Sequence, residues 1–453
     1  MKSKAIVKKF IELECYSEID INILDSRVFT TETEGKLKLC IEIQVALEKF
    51  ESVTDAPLYA RSRLLIILGI ISFLTQDIFT PLDANQTQSS LGELSKVKNE
   101  MFIYDSEDVL HIFKSIIKFL EEQKENKIRL FYSLIDRWRK ALYLEKESEE
   151  SMIHDEEAIL SYFHILELLS NEYYTIQKEK AIKKIDAFSM SFLKEINFLT
   201  DQQLESEMSV KKKMIKEILL TNLPIKSKIL YMLNEQGLLT KRLNSFITQI
   251  IEDRNSVAHG RQVFQDKLII PFPPFFPLIK NRKYSLDTIR CLSARIIALF
   301  INTEHLKDEW DFLASQLKPT TNEIKNFIEE KKYMYLSNIE FCEGKIDNIT
   351  PELLTNEILD KKIKLEIALE IFSKFILNFS KNEEETIQLT IISTLLVDIA
   401  KKEVQDKCLE IINFSYENDL IPGFGMREIL YDLELFGFKP KILRKMIIEN
   451  KIR

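Results

Sequence analysis

The run Glu252-Asp253-Arg254-Asn255-Ser256-Val257-Ala258-His259-Gly260 is the one stretch of this 453-residue chain in which polar residues of catalytic type follow one another at helical spacing. Upstream, Leu239, Leu243, Phe246, Ile247, Ile250 and Ile251 recur at three- and four-residue steps, so an amphipathic helix runs into the motif. Gly260 is its expected C-terminal stop. At about 100° per residue, Asn255 and His259 share one face with Glu252 a turn behind. Arg254 lies on a flank, and its long guanidinium arm reaches the histidine's neighbourhood.

That pair has a definite chemistry. Histidine titrates near neutral pH and moves a proton in either direction, while arginine stays charged and offers a fork of donors matched to phosphate oxygens. Together they suffice to cleave RNA without a metal. The base takes the ribose 2′-OH proton, the oxygen attacks the adjacent phosphorus, and the arginine stabilises the charge developing on the phosphoryl oxygens. A helix C-terminus favours the charged form of His259, which suits a residue that must also donate a proton.

Arg254-Asn255-x-x-x-His259 resembles the R-(polar)-x-x-x-H signature of the HEPN-superfamily ribonucleases, helical bundles found in toxin–antitoxin pairs, abortive-infection proteins and type VI CRISPR effectors. In that family the signature ends the third core helix and one more helix follows; Tyr284 to Asn302 supplies the fourth. Phe131 to Leu142 would be the first, and Ile159 to Leu169 resembles the second. The resemblance covers residues 126 to 305 and assigns Arg254, Asn255 and His259 as catalytic. It also implies a homodimer in which two signature helices, residues 239 to 260, face each other across a two-fold axis. Glu167 on the second helix and Glu252 are candidate orienters of His259 or Arg254, with Asp253 a rival. The bland reading of the motif is a helix-capping histidine beside a surface arginine.

The stretch after the motif, Leu268 to Pro277, carries four prolines, which forbid helix and hold it extended. Phe272, Phe275 and Phe276 would either stack on splayed bases or form a packed strap closing the bundle. Arg261, Arg282 and Lys283 are candidate phosphate contacts. Lys211-Lys212-Lys213 reads first as a solvated helix face and second as an RNA contact. His111, His154, His164 and His305 have no partners in sequence, and His164, on an apolar helix, reads as a core histidine.

Composition bounds the rest. Only 9 glycines and 11 prolines, against abundant Leu, Ile, Lys and Glu, favour long helices, so the fold class is mainly α. A net charge of -8 argues against a protein that coats nucleic acid through a broad basic surface; any RNA contact is local. The five cysteines form no C-x-x-C pair, which suggests neither zinc nor a disulfide framework and points to the reduced cytosol. No metal or other cofactor is expected. The N-terminus has no apolar leader segment, and the longest greasy run, Leu64 to Leu74, is well short of the ~20 residues of a membrane span. A soluble, cytoplasmic protein is expected.

Three regions follow. Residues 1–125 form an N-terminal α part with a small α+β element: Leu37 to Leu47 alternates as a strand, with Phe10–Cys15 and Ile19–Ile23 as partners. Tyr59–Phe79 and Ser106–Gln123 read as helices, and Pro81–Ser95 as a polar loop. Residues 126–305 form the bundle, with an insertion at about 178–236 broken near Thr200–Gln203 and at Pro224, and a solvated acidic stretch at Glu145–Asp155. Residues 306–453 read as helices over Asn322–Leu336, Asp360–Phe379, Glu384–Glu403, Lys407–Asn418, Met426–Phe436 and Pro440–Asn450, with no second catalytic motif. The expected function is a metal-independent endoribonuclease acting on single-stranded RNA as an antiphage or toxin effector, whose flanks either occlude the cleft until a trigger binds or recruit it to its RNA; the trigger and any antitoxin are left open. The alternative is a non-catalytic helical module that binds RNA or a protein partner.

Overall fold

The computed structural model describes residues 3–33, 35–49, 51–148, 153–220, 223–258, 282–420 and 425–449. Four strands open the chain, β1 (Ser3–Glu12), β2 (Ser17–Ile23), β3 (Ser26–Thr33) and β4 (Lys36–Leu47), and α1 (Ala56–Thr75) follows. Then come β5 (Ala84–Leu91), β6 (Met101–Tyr104) and β7 (Glu107–Asp108). They form one antiparallel sheet in the order β5-β1-β4-β3-β2-β6-β7. The alternation read over Leu37 to Leu47 is β4, and β1 is its partner on one side, with Phe10 opposite Cys40. The second expected partner, Ile19–Ile23, pairs with β3 instead, because the two-residue turn at Leu24 and Asp25, both at positive φ, sends the chain straight back.

Residues 84–91 correct the expectation of a loop at Pro81–Ser95. They form the edge strand β5 along β1, with Gln88 opposite Lys8. Gln, Thr and Ser there are mostly exposed, so no apolar alternation marks the strand; its backbone pairing holds it.

One face of the sheet, including Val7, Leu39, Ile41 and Ile43, is buried, and α1 packs on β1 and β4. By length and composition Val53–Thr75 would pass for a membrane span, but 56% of its apolar window is already buried inside the fold. Its far side lies against α3: a Cβ built on Gly69 would sit 2.3 Å from Ile135 Cγ2, Trp138 Nε1 donates to the Ser72 carbonyl at 3.5 Å, and Phe73 meets Trp138 edge-on.

The helices continue with α2 (Leu110–Glu122), α3 (Glu125–Ser148), α4 (Asp155–Glu195), α5 (Asp201–Leu220), α6 (Ile225–Glu235), α7 (Lys241–Ala258), α8 (Arg282–Phe300) and α9 (Lys307–Ser315). The sequence places helices on α3, α4, α7 and α8, yet it ends the second too early, since α4 is 41 residues long and runs on to Glu195, inside the expected insertion. Its face Ile159, Tyr162, Phe163, Leu166 and Leu169 is buried, and α4 packs against α3 and α8. Glu145 corrects the solvated acidic stretch: it is largely buried, accepting from the Tyr162 hydroxyl at 2.8 Å and Arg290 at 2.9 Å. These partners repay its burial.

The described residues divide into two compact units: those within 3–240, 247–258 and 282–315 form the first, and those within 241–246 and 316–449 the second. Within the second run α10 (Thr321–Glu329), α11 (Asn338–Cys342), α12 (Pro351–Leu359), α13 (Leu365–Leu377), α14 (Glu383–Leu396), α15 (Lys402–Glu417), α16 (Met426–Leu435) and α17 (Lys441–Ile448). The expected helix Asn322–Leu336 stops at Glu329, where Lys331 turns to φ 50, and continues as a 3-10 turn. The sequence reading also missed α11 and α12, which start at the Ser337 and Thr350 caps. Phe327, Phe341, Phe372 and Phe375 centre this unit's core, and Arg242 forks to Glu323 and to the Leu317 and Asp347 carbonyls.

The close crossing of α1 and α3 is testable. Gly69→Ala should lower stability in urea unfolding by about 1–3 kcal/mol, the usual cost of overpacking a full core. The loss should shrink in an Ile135→Ala background, where the clashing methyl is gone.

Candidate functional site

The motif helix α7 ends at Ala258, and its polar side chains meet α4 within the first unit. Arg254 is the hub. Its Nη2 donates to Glu167 Oε1 at 3.3 Å and its Nη1 to the Asn255 amide oxygen at 3.2 Å, with Arg254 and Glu167 each about three-quarters buried. Asn255 therefore spends its acceptor on aiming the neighbouring guanidinium. Among the described residues Arg254 Nε is buried without a hydrogen-bond partner, which leaves donor capacity at the fork.

His164 was read as a core histidine; the structure places it beside the site. Its side chain is 33% exposed, Nε2 lies 3.9 Å from Glu167 Oε2, and Nδ1 is buried without a partner. Burial lowers its pKa chiefly, and the positive charges of Arg137 and Arg254 add to this, against an upward pull from Glu167. The ring is thus held neutral near pH 7. The signal in the sequence was the three-residue step from His164 to Glu167, which puts both on one helix face. Arg137, from α3, had no signal at all.

Glu252 is exposed on α7, and the carboxylate at the Arg254 guanidinium is that of Glu167. Asp253 is mostly buried, with Oδ2 unpartnered; burial, then Glu252 and Glu156, push its pKa up to about 6. His259, Arg261 and the phenylalanines Phe272, Phe275 and Phe276 lie outside the described residues, as do the side chains of Arg282 and Lys283 at the start of α8. Of the lysine run, Lys211 pairs with Glu207 at 3.2 Å and Lys212 with Asp186 at 2.6 Å, while Lys213 is exposed.

Elsewhere the titratable groups are structural. All five cysteines are free thiols, and burial pushes Cys40, Cys342 and Cys408 up to about 12 and Cys291 to about 11, which makes them poor nucleophiles. His305 is buried, bonded through Nε2 to the Phe73 carbonyl at 3.0 Å, and its pKa is lowered by that burial. Among the described residues no group of three or more His, Cys, Asp or Glu is placed to hold a metal ion. Comparison of the chain with protein-family models, with curated proteins and with solved structures found no match.

Asp253 carries a pH prediction. A raised folded-state pKa means the native state binds more protons than the unfolded one between about pH 4 and 6, so this residue's contribution to stability falls as pH rises through that window. Asp253→Asn should therefore raise the melting temperature at pH 7.5 and leave it nearly unchanged at pH 4. An equal shift at both values would count against a titration origin.

Proposed function

We propose that this chain is a metal-independent endoribonuclease of the HEPN type that cuts single-stranded RNA. The observation that carries the reading is the Arg254 guanidinium, anchored by Glu167 and Asn255 at the end of α7, five residues before His259. An arginine tethered on two of its nitrogens is oriented in advance, and the electrostatic stabilisation of a phosphoryl transition state depends on such preorganisation. His259 takes the 2′-OH proton, the 2′ oxygen attacks phosphorus, and the 5′ oxygen leaves with a proton. A cyclic phosphate remains on the 5′ fragment.

Glu167 is the positioning residue for Arg254, with His164 at its second oxygen. Arg261, Arg282 and Lys283 are proposed to hold the RNA backbone. The resemblance further leads us to place two motif helices across a two-fold axis, in a cytoplasmic effector restrained by its flanking regions or by an antitoxin, as antiphage and toxin ribonucleases are. Five free thiols, three of them buried, are compatible with a reducing compartment.

The Arg254–Glu167 pair also favours a second reading. An arginine neutralised by a carboxylate is equally a device for joining α7 to α4, and the bundle would then be a non-catalytic module that binds RNA or protein.

Cleavage separates the two. Purified protein, or its triggered form, should cut single-stranded RNA in the presence of chelator, and His259→Ala should lower the rate by about 10²-fold or more with the melting temperature retained. Arg254→Ala should have a comparable effect on rate and also cost some stability through the stranded Glu167. Cleavage that stops with chelator and returns with magnesium would refute the mechanism; no cleavage under any trigger, with RNA or protein still bound, would establish the second reading.

A further inference from the structure

Arg137 stands on an exposed turn of α3, and the acids of that helix nearest to it are already engaged. Asp136 is taken by Arg139 at 3.2 Å and by Lys140 at 2.6 Å. Arg129, two turns earlier, has its own partner in Glu125. Among the described residues Arg137 is left without a carboxylate. An exposed arginine is ordinary on a protein surface, so its place in the fold decides what it means.

That place is beside the candidate site. α3 packs along α4 with the rings of Trp138 and Tyr162 5.4 Å apart, which brings the Arg137 turn alongside the α4 turn that carries His164. The positive charge of Arg137 acts on that imidazole from α3, and the charge of Arg254 acts on it from α7. The carboxylate that answers them is Glu167, with Oε2 3.9 Å from His164 Nε2 and Oε1 3.3 Å from Arg254 Nη2. Two guanidiniums thus share one negative charge, at side chains that solvent still reaches. His164, held neutral by its burial, adds no charge of its own. In a chain of net charge -8 a local excess of positive charge is a place that draws an anion.

We propose that Arg137 is a second phosphate contact of the RNA site, holding a backbone phosphate beside the one that Arg254 stabilises, with the strand passing His164 from α7 toward α3. The assignment rests on the RNA reading of the α7 site and adds to it a residue that touches substrate away from the reacting atoms. Arg254 has two of its nitrogens committed to Glu167 and Asn255, so its remaining donor capacity suits one phosphate. A neighbouring phosphate needs a cation from another element, and Arg137 brings a whole unspent fork. Because it acts on a group that does not react, its contribution is to binding.

Fluorescence anisotropy on the full chain tests this with a single-stranded RNA oligonucleotide of mixed sequence, 2′-O-methylated throughout, which supplies the phosphates without the attacking hydroxyl. Arg137→Ala should weaken binding about fivefold or more at low salt and flatten the slope of log Kd against log salt by about 0.7, the share of one phosphate on a single strand. Arg137→Lys keeps the charge and should keep the slope. Arg129→Ala, which removes a cation about 12 Å away along the same helix, should leave both nearly unchanged. With a cleavable strand Arg137→Ala should raise KM and hold kcat within about twofold, as the loss of uniform binding does. Melting curves of the variants should match that of the wild type, since both side chains are exposed. Arg137→Ala that binds like wild type, or Arg129→Ala that loses as much, would overturn the assignment and leave the nuclease reading standing. A chain that binds the oligonucleotide through Arg137 and cuts no RNA would uphold the assignment and sink the nuclease, and a chain that binds no RNA would overturn both.

Discussion

A single buried carboxylate holds the helical part of the first unit in register. Glu145 on α3 accepts from Tyr162 on α4 and from Arg290 on α8, three helices meeting at one side chain. Burial raises its pKa, and the Arg290 charge and the Tyr162 hydroxyl pull against that rise. The consequence is rotational. With Tyr162 turned into the core, Glu167, five residues on and so about 140° around the helix, points toward α7 and meets Arg254.

The electrostatics of that meeting point are weighted toward positive charge. Arg254 and His164 meet at the Glu167 carboxylate, Arg137 adds its charge beside His164, and desolvation lowers the histidine's pKa. Such a cluster tolerates an anion better than a cation. Next to it the half-buried Asp253 and the buried Glu156 stand on the other side of the balance, and burial together with Glu252 and Glu156 pushes Asp253 up to about 6 against the hydrogen bond from Gln249.

α4 continues well past the site it carries. Its first half repeats apolar residues at core spacing and is covered by α3 and α8; beyond Tyr173 the described helices packed against it are chiefly α5 and α6. One continuous 41-residue helix thus carries both the carboxylate that orients Arg254 and a surface the chain does not bury. Helix propensity alone sustains neither half at this exposure, so packing supplies the difference in the first and is missing from the second.

The sequence by itself determined the helices that bear the motif, the strand at β4 and the mainly α class, because period and propensity are local properties that survive without tertiary context. It also marked Arg254 and Asn255, whose spacing from His259 is a property of the chain. It could not find β5, which has no apolar alternation and is held by backbone pairing to β1, nor the end of α4, where no breaker stands before Ile196. Glu145 read as solvated since nothing nearby in sequence announces Tyr162 or Arg290, the latter 145 residues away. For the same reason His164 read as core. Whether a polar side chain is buried, paired or poised depends on groups brought in from distant segments, and only the packing of α3, α4, α7 and α8 decides which of them arrive.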